Sequence, residues 1–350
     1  MTVLHKSKIE PILRTLAEMS ERPKITLFSR GSITAFPHYW QIPAATEKAA
    51  FESMLNHSND FRFDYYGFPW ATIIDGVRGS SAKASEVLSA LHLASKCSET
   101  GNRRRVTVAQ HIHALKYIDL FKASGITDLF WSHTTRQQTE IQGIRLHPFP
   151  LFPAQTPNGL EAGSLSRPRQ YLTNFIGAYN PAIYLSNVRQ HIFNDADRWP
   201  DVLIIKRDAW HFDRAVYDEQ ISGKSASKQH KQVERRRTEE YLDAIKNSWF
   251  TLCPTGSGPN SIRIFESLCL GSIPIILTRD LALPGPKSLW GAATIIEEDS
   301  EAGYSKAMEK VRSMNIDQKY EMIRYGCKLF NFLKPESYAE LIENAMFTAP

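Results

Sequence analysis

Two apolar periods alternate along this chain: runs of continuous or alternating apolar residues follow stretches whose apolar positions fall three and four apart. The first period belongs to strands and the second to amphipathic helices. Their repeated succession predicts parallel sheets covered by helices on both faces, an α/β architecture. In the first half the expected strands are KITLFSR (Lys24 to Arg30), PWATIID (Pro69 to Asp75) and RVTVAQHIH (Arg105 to His113). Between the last two, SSAKASEVLSALHLASK has the spacing of a crossover helix. ALKYIDLFKASG reads as a helix closed by Gly125, and ITDLFWSH as the strand after it.

From Pro153 to Arg169 proline, glycine and serine replace the apolar periodicity (PAQTPNGLEAGSLSRPR), which marks a domain boundary. We therefore divide the chain into residues 1–160 and 161–350. A second series follows: strand YLTNFIGAYN, helix IYLSNVRQHIF, strand DVLIIKRD, helix TEEYLDAIKNS, strand WFTLCP, helix SIRIFESLCL and strand SIPIIL. Helices from Glu301 and Ile316 and a last one, YAELIENAM, complete it. Two doubly wound Rossmann-like domains facing across a cleft are the simplest architecture for this pattern, and such sheets bind ligands at the carboxyl ends of their strands. The polar stretch between His211 and Arg237 is expected either as a solvated loop or as a lid over an anionic ligand.

Composition narrows the classes. At 350 residues, 42% apolar and 23% charged, the chain suits two globular domains and excludes a disordered one. Its net charge of +5 is compatible with an anionic substrate or an acidic membrane face, and equally with a solvated basic surface. The four cysteines, Cys97, Cys253, Cys269 and Cys327, form no CxxC pair, so neither a zinc site nor a disulfide framework is expected. With no apolar run long enough for a leader or a membrane span, a cytoplasmic location is the expectation. The basic tracts NRRR (Asn102 to Arg105) and ERRR (Glu234 to Arg237) lack interleaved aromatic residues, which argues against a nucleic-acid partner.

The stretch with most chemistry is PTGSGPNSIRIFESLCLGSIPIIL, Pro254 to Leu277. A turn of small residues, with Gly256 and Ser257, leads into a helix capped by Asn260 beside Ser261 and ended by Gly271. Ile262, Phe265 and Leu268 are expected to face the sheet, leaving Arg263 and Glu266 on an exposed stripe. A helix N-terminus behind such a turn suits a phosphate. Arg263 would add a forked donor to diphosphate oxygens, and Glu266 could accept from two vicinal ribose hydroxyls. A capped surface helix with an Arg–Glu ion pair is the alternative.

The sequence from LCP (Leu252 to Pro254) through TGSGPN, SIRIFE (Ser261 to Glu266) and GSIPIIL (Gly271 to Leu277) resembles the signature of exostosin-type glycosyltransferases. QHIHALKYIDLFKASGITDLFWSH and HPFPLFP resemble the first half of bacterial members. One departure is Ser257, where animal exostosins carry a basic residue. The resemblance implies the two-domain GT-B fold and inverting transfer of a sugar from a nucleotide diphosphate donor bound by the C-terminal domain, with UDP as the commonest leaving group. It also implies a glycan or glycolipid acceptor in polysaccharide or lipopolysaccharide synthesis, no cofactor and no metal, with a peripheral contact to a membrane face as a further expectation for the basic loops. A nucleotide-sugar epimerase of the same architecture and an inactive glycan-binding module are the rival readings.

Inverting transfer needs a general base on the acceptor side. His111 and His113, alternating along one expected strand, would share a face near its carboxyl end; His113 is the first candidate, Asp75 at the end of ATIID the second and His111 the third. Lys206 and Arg207, ending DVLIIKRD, are placed either to meet donor phosphates or to form a surface ion pair. DAD (Asp195 to Asp197) reads as a solvated loop rather than a metal motif, because it follows a helix.

Overall fold

The computed structural model describes residues 25–57, 61–79, 81–97, 103–156, 167–208 and 227–347. It divides into two compact units, Met1–Phe149 with Pro335–Pro350, and Pro150–Lys334. The division differs from the expected one in two places: the inner boundary falls at Phe149 rather than residue 160, and the last helix groups with the first unit and not with the second. The stretch 211–226, expected as a loop or lid, lies outside the described residues.

The first unit contains β1 (Phe28–Arg30), β2 (Ile33–Ala35), α1 (Thr46–Asn56), β3 (Asp64–Gly67), α2 (Trp70–Gly79), α3 (Ala82–Cys97), β4 (Arg105–Ala109), a 3-10 turn (Ala114–Tyr117), α4 (Ile118–Ala123), β5 (Asp128–Trp131), β6 (Glu140–Ile141) and β7 (Ile144–Pro148). Its sheet runs β1-β2-β3-β4-β5-β7-β6, parallel from β2 to β7 and antiparallel at both edges. Neighbouring strand residues point to opposite faces, and Tyr65 and Tyr66 are both 1% exposed, so both faces of the sheet are covered.

Two expectations fail here. PWATIID is not a strand: Trp70, Ile73 and Ile74 fall at helical spacing and pack into one core with Val77, Val87 and Leu91. A short apolar run fits either period, and Pro69 before the first turn with the Glu47 carboxylate accepting from Ala71 N–H (3.2 Å) tips it to helix. RVTVAQHIH is a strand only to Ala109. The ladder stops there because the next N–H, that of Gln110, goes to Glu47 Oε1 (3.1 Å), so His111 and His113 lie in the loop after β4 and not along it.

The second unit follows the expected alternation more closely: β8 (Tyr171–Ala178), α5 (Val188–Asn194), β9 (Val202–Arg207), α6 (Lys228–Lys246), β10 (Ser248–Pro254), α7 (Ile262–Leu270), β11 (Ile273–Leu277), α8 (Lys287–Ala293), β12 (Ile295–Glu297), α9 (Glu301–Ser313) and α10 (Ile316–Leu333). α5 begins five residues later than IYLSNVRQHIF suggested, after a turn through Asn180. α6 begins ten residues earlier than TEEYLDAIKNS, taking in the charged run read as loop. The chain then closes with a 3-10 turn (Pro335–Ser337) and α11 (Tyr338–Phe347) of the first unit.

The five strands of the second unit are all parallel, in the order β12-β11-β10-β8-β9. The chain winds outward from β8 first to β9 and then, on the other side, to β10, β11 and β12. That reversal puts the topological switch point between β8 and β10, and in doubly wound sheets the ligand crevice opens at the carboxyl ends of these two strands. Both strands are built for burial: Phe250, Thr251, Leu252, Thr173, Asn174 and Phe175 are all fully buried.

Candidate functional site

The carboxyl end of β10 runs into the loop from Thr255 to Ser261. The Gly256 carbonyl accepts from Leu185 N–H (3.1 Å) and its N–H donates to the Gly258 carbonyl (3.1 Å). The N-cap of α7 is Ser261 rather than Asn260, with no side-chain cap; the Asn260 carboxamide oxygen accepts from Ser261 N–H (2.8 Å). Ser257 is exposed, whereas Asn260 and Ser261 are buried. Gly271 closes α7 in the left-handed conformation (φ 74°), as its position in the sequence suggests.

Arg263 and Glu266 are not on an exposed stripe. Glu266 is fully buried, and its carboxylate accepts from the Tyr241 hydroxyl of α6 and from the Gln155 side-chain amide. Burial raises its pKa above the ordinary carboxylate value, against the hydrogen bonds from Tyr241 and Gln155 and the charge of Arg263. The Arg263 guanidinium reaches across α7 to the carboxyl end of β8, where Nη2 donates to the Ile176 carbonyl (2.7 Å) and the group lies 4.8 Å from the Phe175 ring. Its Nε is buried without a partner.

A second guanidinium, which the sequence reading missed, stands beside it. Arg189 on α5 is 6% exposed; Nε donates to the Thr255 carbonyl (3.1 Å), Nη1 to the Ala178 carbonyl (3.0 Å), and the group packs 4.1 Å from the Tyr184 ring. Burial, and then the charge of Arg263, bring its pKa down to about 10, so it stays protonated at neutral pH. Gly177 separates the two: a Cβ there would lie 3.3 Å from Arg263 Nη2 and 3.5 Å from Arg189 Nη1. At Gly256 a Cβ would lie 3.9 Å from Arg189 Nη2, which ties the glycine turn to the same place. Among the described residues neither guanidinium is in an ion pair. Asp299, just past β12, is also buried here; Oδ2 accepts from the Thr255 hydroxyl and Oδ1 has no partner.

Two like charges buried side by side and bonded to neutral carbonyl oxygens are costly; the carboxylates of Glu266, acting on Arg263, and of Asp299, acting on Arg189, offset part of that cost without forming an ion pair, and a bound anion would offset more. Their place at the switch point, next to a glycine turn and an uncapped helix N-terminus, is where a nucleotide diphosphate would meet a doubly wound sheet. Lys206 and Arg207 do not join them. Lys206 is exposed, 5.6 Å from the Phe193 ring, and Arg207 pairs with Glu240 on α6, the surface ion pair left open as an alternative. Asp195 sits in a turn and accepts from Tyr304 (3.2 Å) and Arg198 (3.3 Å), as a loop reading of DAD requires.

In the first unit the loop after β4 gathers the acceptor-side candidates. Asp75, on α2 and not at a strand end, accepts from His111 Nε2 (3.0 Å) and from the Gln41 amide (3.1 Å). His111 Nδ1 accepts from His113 N–H (3.0 Å), which fixes the proton on Nε2 and leaves neither ring nitrogen of His111 to take a substrate proton. Its role is to hold the loop. His113 then opens the 3-10 turn, with its ring 5.5 Å from that of His111. A third imidazole, His133 after β5, is 3% exposed; chiefly burial brings its pKa down to about 3, so it is neutral at physiological pH. Among the described residues no three His, Cys, Asp or Glu side chains are grouped as a metal ion would need.

Parallel sheets in both units and a paired-guanidinium site at a switch point define the class: a Rossmann-like α/β protein with a candidate anion site. The particular family follows from comparison. Residues 92–298 match the exostosin GT47 domain, and the chain belongs to that family. It is similar to the Arabidopsis thaliana "Probable glucuronoxylan glucuronosyltransferase IRX7", 29% identical over 32% of this chain and 29% of that protein. A probable glucuronosyltransferase of Oryza sativa subsp. japonica is 34% identical over 24% of this chain and 20% of its own length. The matches thus span less than a third of these relatives. Among solved structures, a sucrose-phosphate synthase from Thermosynechococcus elongatus aligns over 87% of this chain and 78% of its own, with 9% identity and a TM-score of 0.41. The rhamnosyltransferase SpnG complexed with thymidine diphosphate aligns over 85% and 80%, with 12% identity and a TM-score of 0.37. Likeness that slight says nothing further about the site.

Proposed function

We propose that this chain is an inverting glycosyltransferase that moves a sugar from a nucleotide diphosphate donor, with UDP as leaving group, to a glycan hydroxyl in polysaccharide synthesis. The observation that carries the reading is the Arg189–Arg263 pair at the β8–β10 switch point. Family membership and the names of the plant relatives support the reaction class.

In the proposed step the acceptor oxygen bonds to the anomeric carbon as the bond from that carbon to the β-phosphate oxygen breaks. Negative charge grows on the departing diphosphate, and the two guanidiniums with the N-terminus of α7 stabilise it without a metal ion. Glu266 takes the ribose hydroxyls. His113 accepts the proton of the attacking hydroxyl, held in place through its N–H by His111, which Asp75 orients. A cytoplasmic location, with acceptor glycan or glycolipid at a membrane face, belongs to the same proposal; no helix among the described residues is long and apolar enough to cross a membrane.

The test is calorimetry of UDP with the full chain in the presence of a chelator. Binding should persist, and Arg189→Ala and Arg263→Ala should each weaken it by about 1.5 to 3 kcal/mol, the range for a hydrogen bond to a charged group. Binding that needs added magnesium overturns the metal-free part. Two alanine variants that bind like the parent overturn the site.

A further inference from the structure

Glu266 is placed for a ribose, yet no ligand atom can reach it as it stands. It is 0% exposed, with the Gln155 amide on Oε1 and the Tyr241 hydroxyl on Oε2. A sugar hydroxyl can therefore contact this carboxylate only by taking the place of one of its two present donors.

The two donors differ in how firmly they are held. Tyr241 is anchored within the 19-residue helix α6 and, though partly exposed like Gln155, has the Arg263 guanidinium packed against its ring at 5.6 Å. Removing it would disturb the helix and the cation together. Gln155 belongs to no helix or strand, is partly exposed, and its side-chain oxygen is buried without a hydrogen-bond partner. A buried carbonyl oxygen with no donor is destabilising. Withdrawing the Gln155 side chain to water would relieve that cost, so of the two donors it is the one that can leave.

Building on the glycosyltransferase reading, we infer that Gln155 is a resident surrogate for the donor's ribose: its amide occupies Glu266 Oε1 and is exchanged for the vicinal hydroxyls when a ribonucleotide binds. The exchange makes the site selective. A ribonucleotide offers two hydroxyl donors in place of the one amide it displaces, whereas a 2′-deoxy nucleotide offers only its 3′-hydroxyl and gains no hydrogen bond in the exchange. Gln155 is thus a specificity device that disfavours partial occupants, and it lowers the affinity of the proper one by the strength of the bond it must give up.

The sign of the effect is the test. Calorimetry with uridine, UMP and UDP should show Gln155→Ala binding all three about tenfold tighter than the parent, because the exchange is at the ribose and not the phosphates; tenfold corresponds to ~1.4 kcal/mol. Gln155→Ser, too short to reach Glu266, should behave alike, and a thermal melt of each variant reports folding. Ligands that bind the parent and the folded variants equally, or the variants more weakly, overturn the surrogate role while leaving the donor site standing. If UDP fails to bind the parent, or binds equally well after Arg263→Ala and Arg189→Ala, the donor-site reading itself fails. For the parent, UDP should bind at least tenfold tighter than 2′-deoxy-UDP, and equal affinities would overturn the selectivity.

Discussion

Gly177→Ala isolates the geometry of the guanidinium pair from its charge. The added methyl would lie 3.3 Å from Arg263 Nη2, 3.5 Å from Arg189 Nη1 and 3.2 Å from Phe175 Cζ, where ordinary contact begins near 3.4 Å. The two closest neighbours must each give way by a few tenths of an ångström. Arg263 is held at 2.7 Å by the Ile176 carbonyl and Arg189 at 3.0 Å by that of Ala178, so the methyl acts on fixed cations and not on loose ones. A charge-assisted hydrogen bond is worth about 1.5 to 3 kcal/mol and weakens steeply with misalignment. Losing about half of one such bond to a bound diphosphate gives ~0.75 to 1.5 kcal/mol, and the middle and upper part of that range corresponds to roughly five- to tenfold in Kd. Fold stability should change less, because alanine restricts the unfolded chain and returns about 0.4 to 1 kcal/mol against the crowding. Calorimetry with UDP and with uridine, beside a thermal melt, separates these effects. The expected pattern is UDP weakened five- to tenfold, uridine unchanged and a melting temperature within a few degrees of the parent. A folded variant with unaltered UDP affinity, or one that loses uridine as much as UDP, would refute the idea that both cations face the phosphates.

Two other perturbations bear on the first unit. His113→Ala should lower turnover with donor and acceptor by about a hundredfold while UDP affinity stays within twofold, and near-normal turnover would remove the base role. Asp128 is fully buried, and though burial alone would raise its pKa, hydrogen bonds from His147, Arg104, Thr127 and Arg145 hold it well below the ordinary carboxylate range. Its contribution is therefore complete above the unfolded pKa near ~4 and is lost as pH falls toward the folded value. Asp128→Asn should cost about 2 to 4 kcal/mol at neutral pH and flatten the acid limb of the stability profile; an equally steep limb in chemical denaturation would contradict this.

How much of this was legible in the sequence depended on local signals. The strands of the second unit were readable because YLTNFIGA, WFTLCP and SIPIIL are buried on both faces and the edge strand DVLIIKR, though partly exposed, keeps a continuous apolar run. Gly271 announced the end of α7 by its chemistry. PWATIID was misread because seven apolar-rich residues fit either period, and the deciding group, Glu47, lies more than twenty positions away. The same long reach hid half of the candidate site. Arg263 and Glu266 share a helix and could be paired on paper, but their burial is set by Tyr241, Phe175 and Gln155, none of which adjoins them in sequence. Arg189 is a single arginine in a short helix, and no spacing marked it; only the strand order of the sheet brings it to Arg263.

The return of the last helix to the first unit sets an order of manufacture. Ser53 accepts from Ala339 N–H (3.1 Å), Arg104 Nη1 donates to the Met346 carbonyl (3.0 Å), and Tyr338 is wholly buried, 4.8 Å from Phe149. A ribosome delivers residues 150–334 before the piece that finishes the first unit. The second unit, continuous in sequence, can therefore fold while the first still waits, its α1 face uncovered, for the residues from Pro335 on. The time taken to synthesise residues 150–334 is an interval of exposure for the first unit. A stop codon at residue 335 would strike the half encoded first.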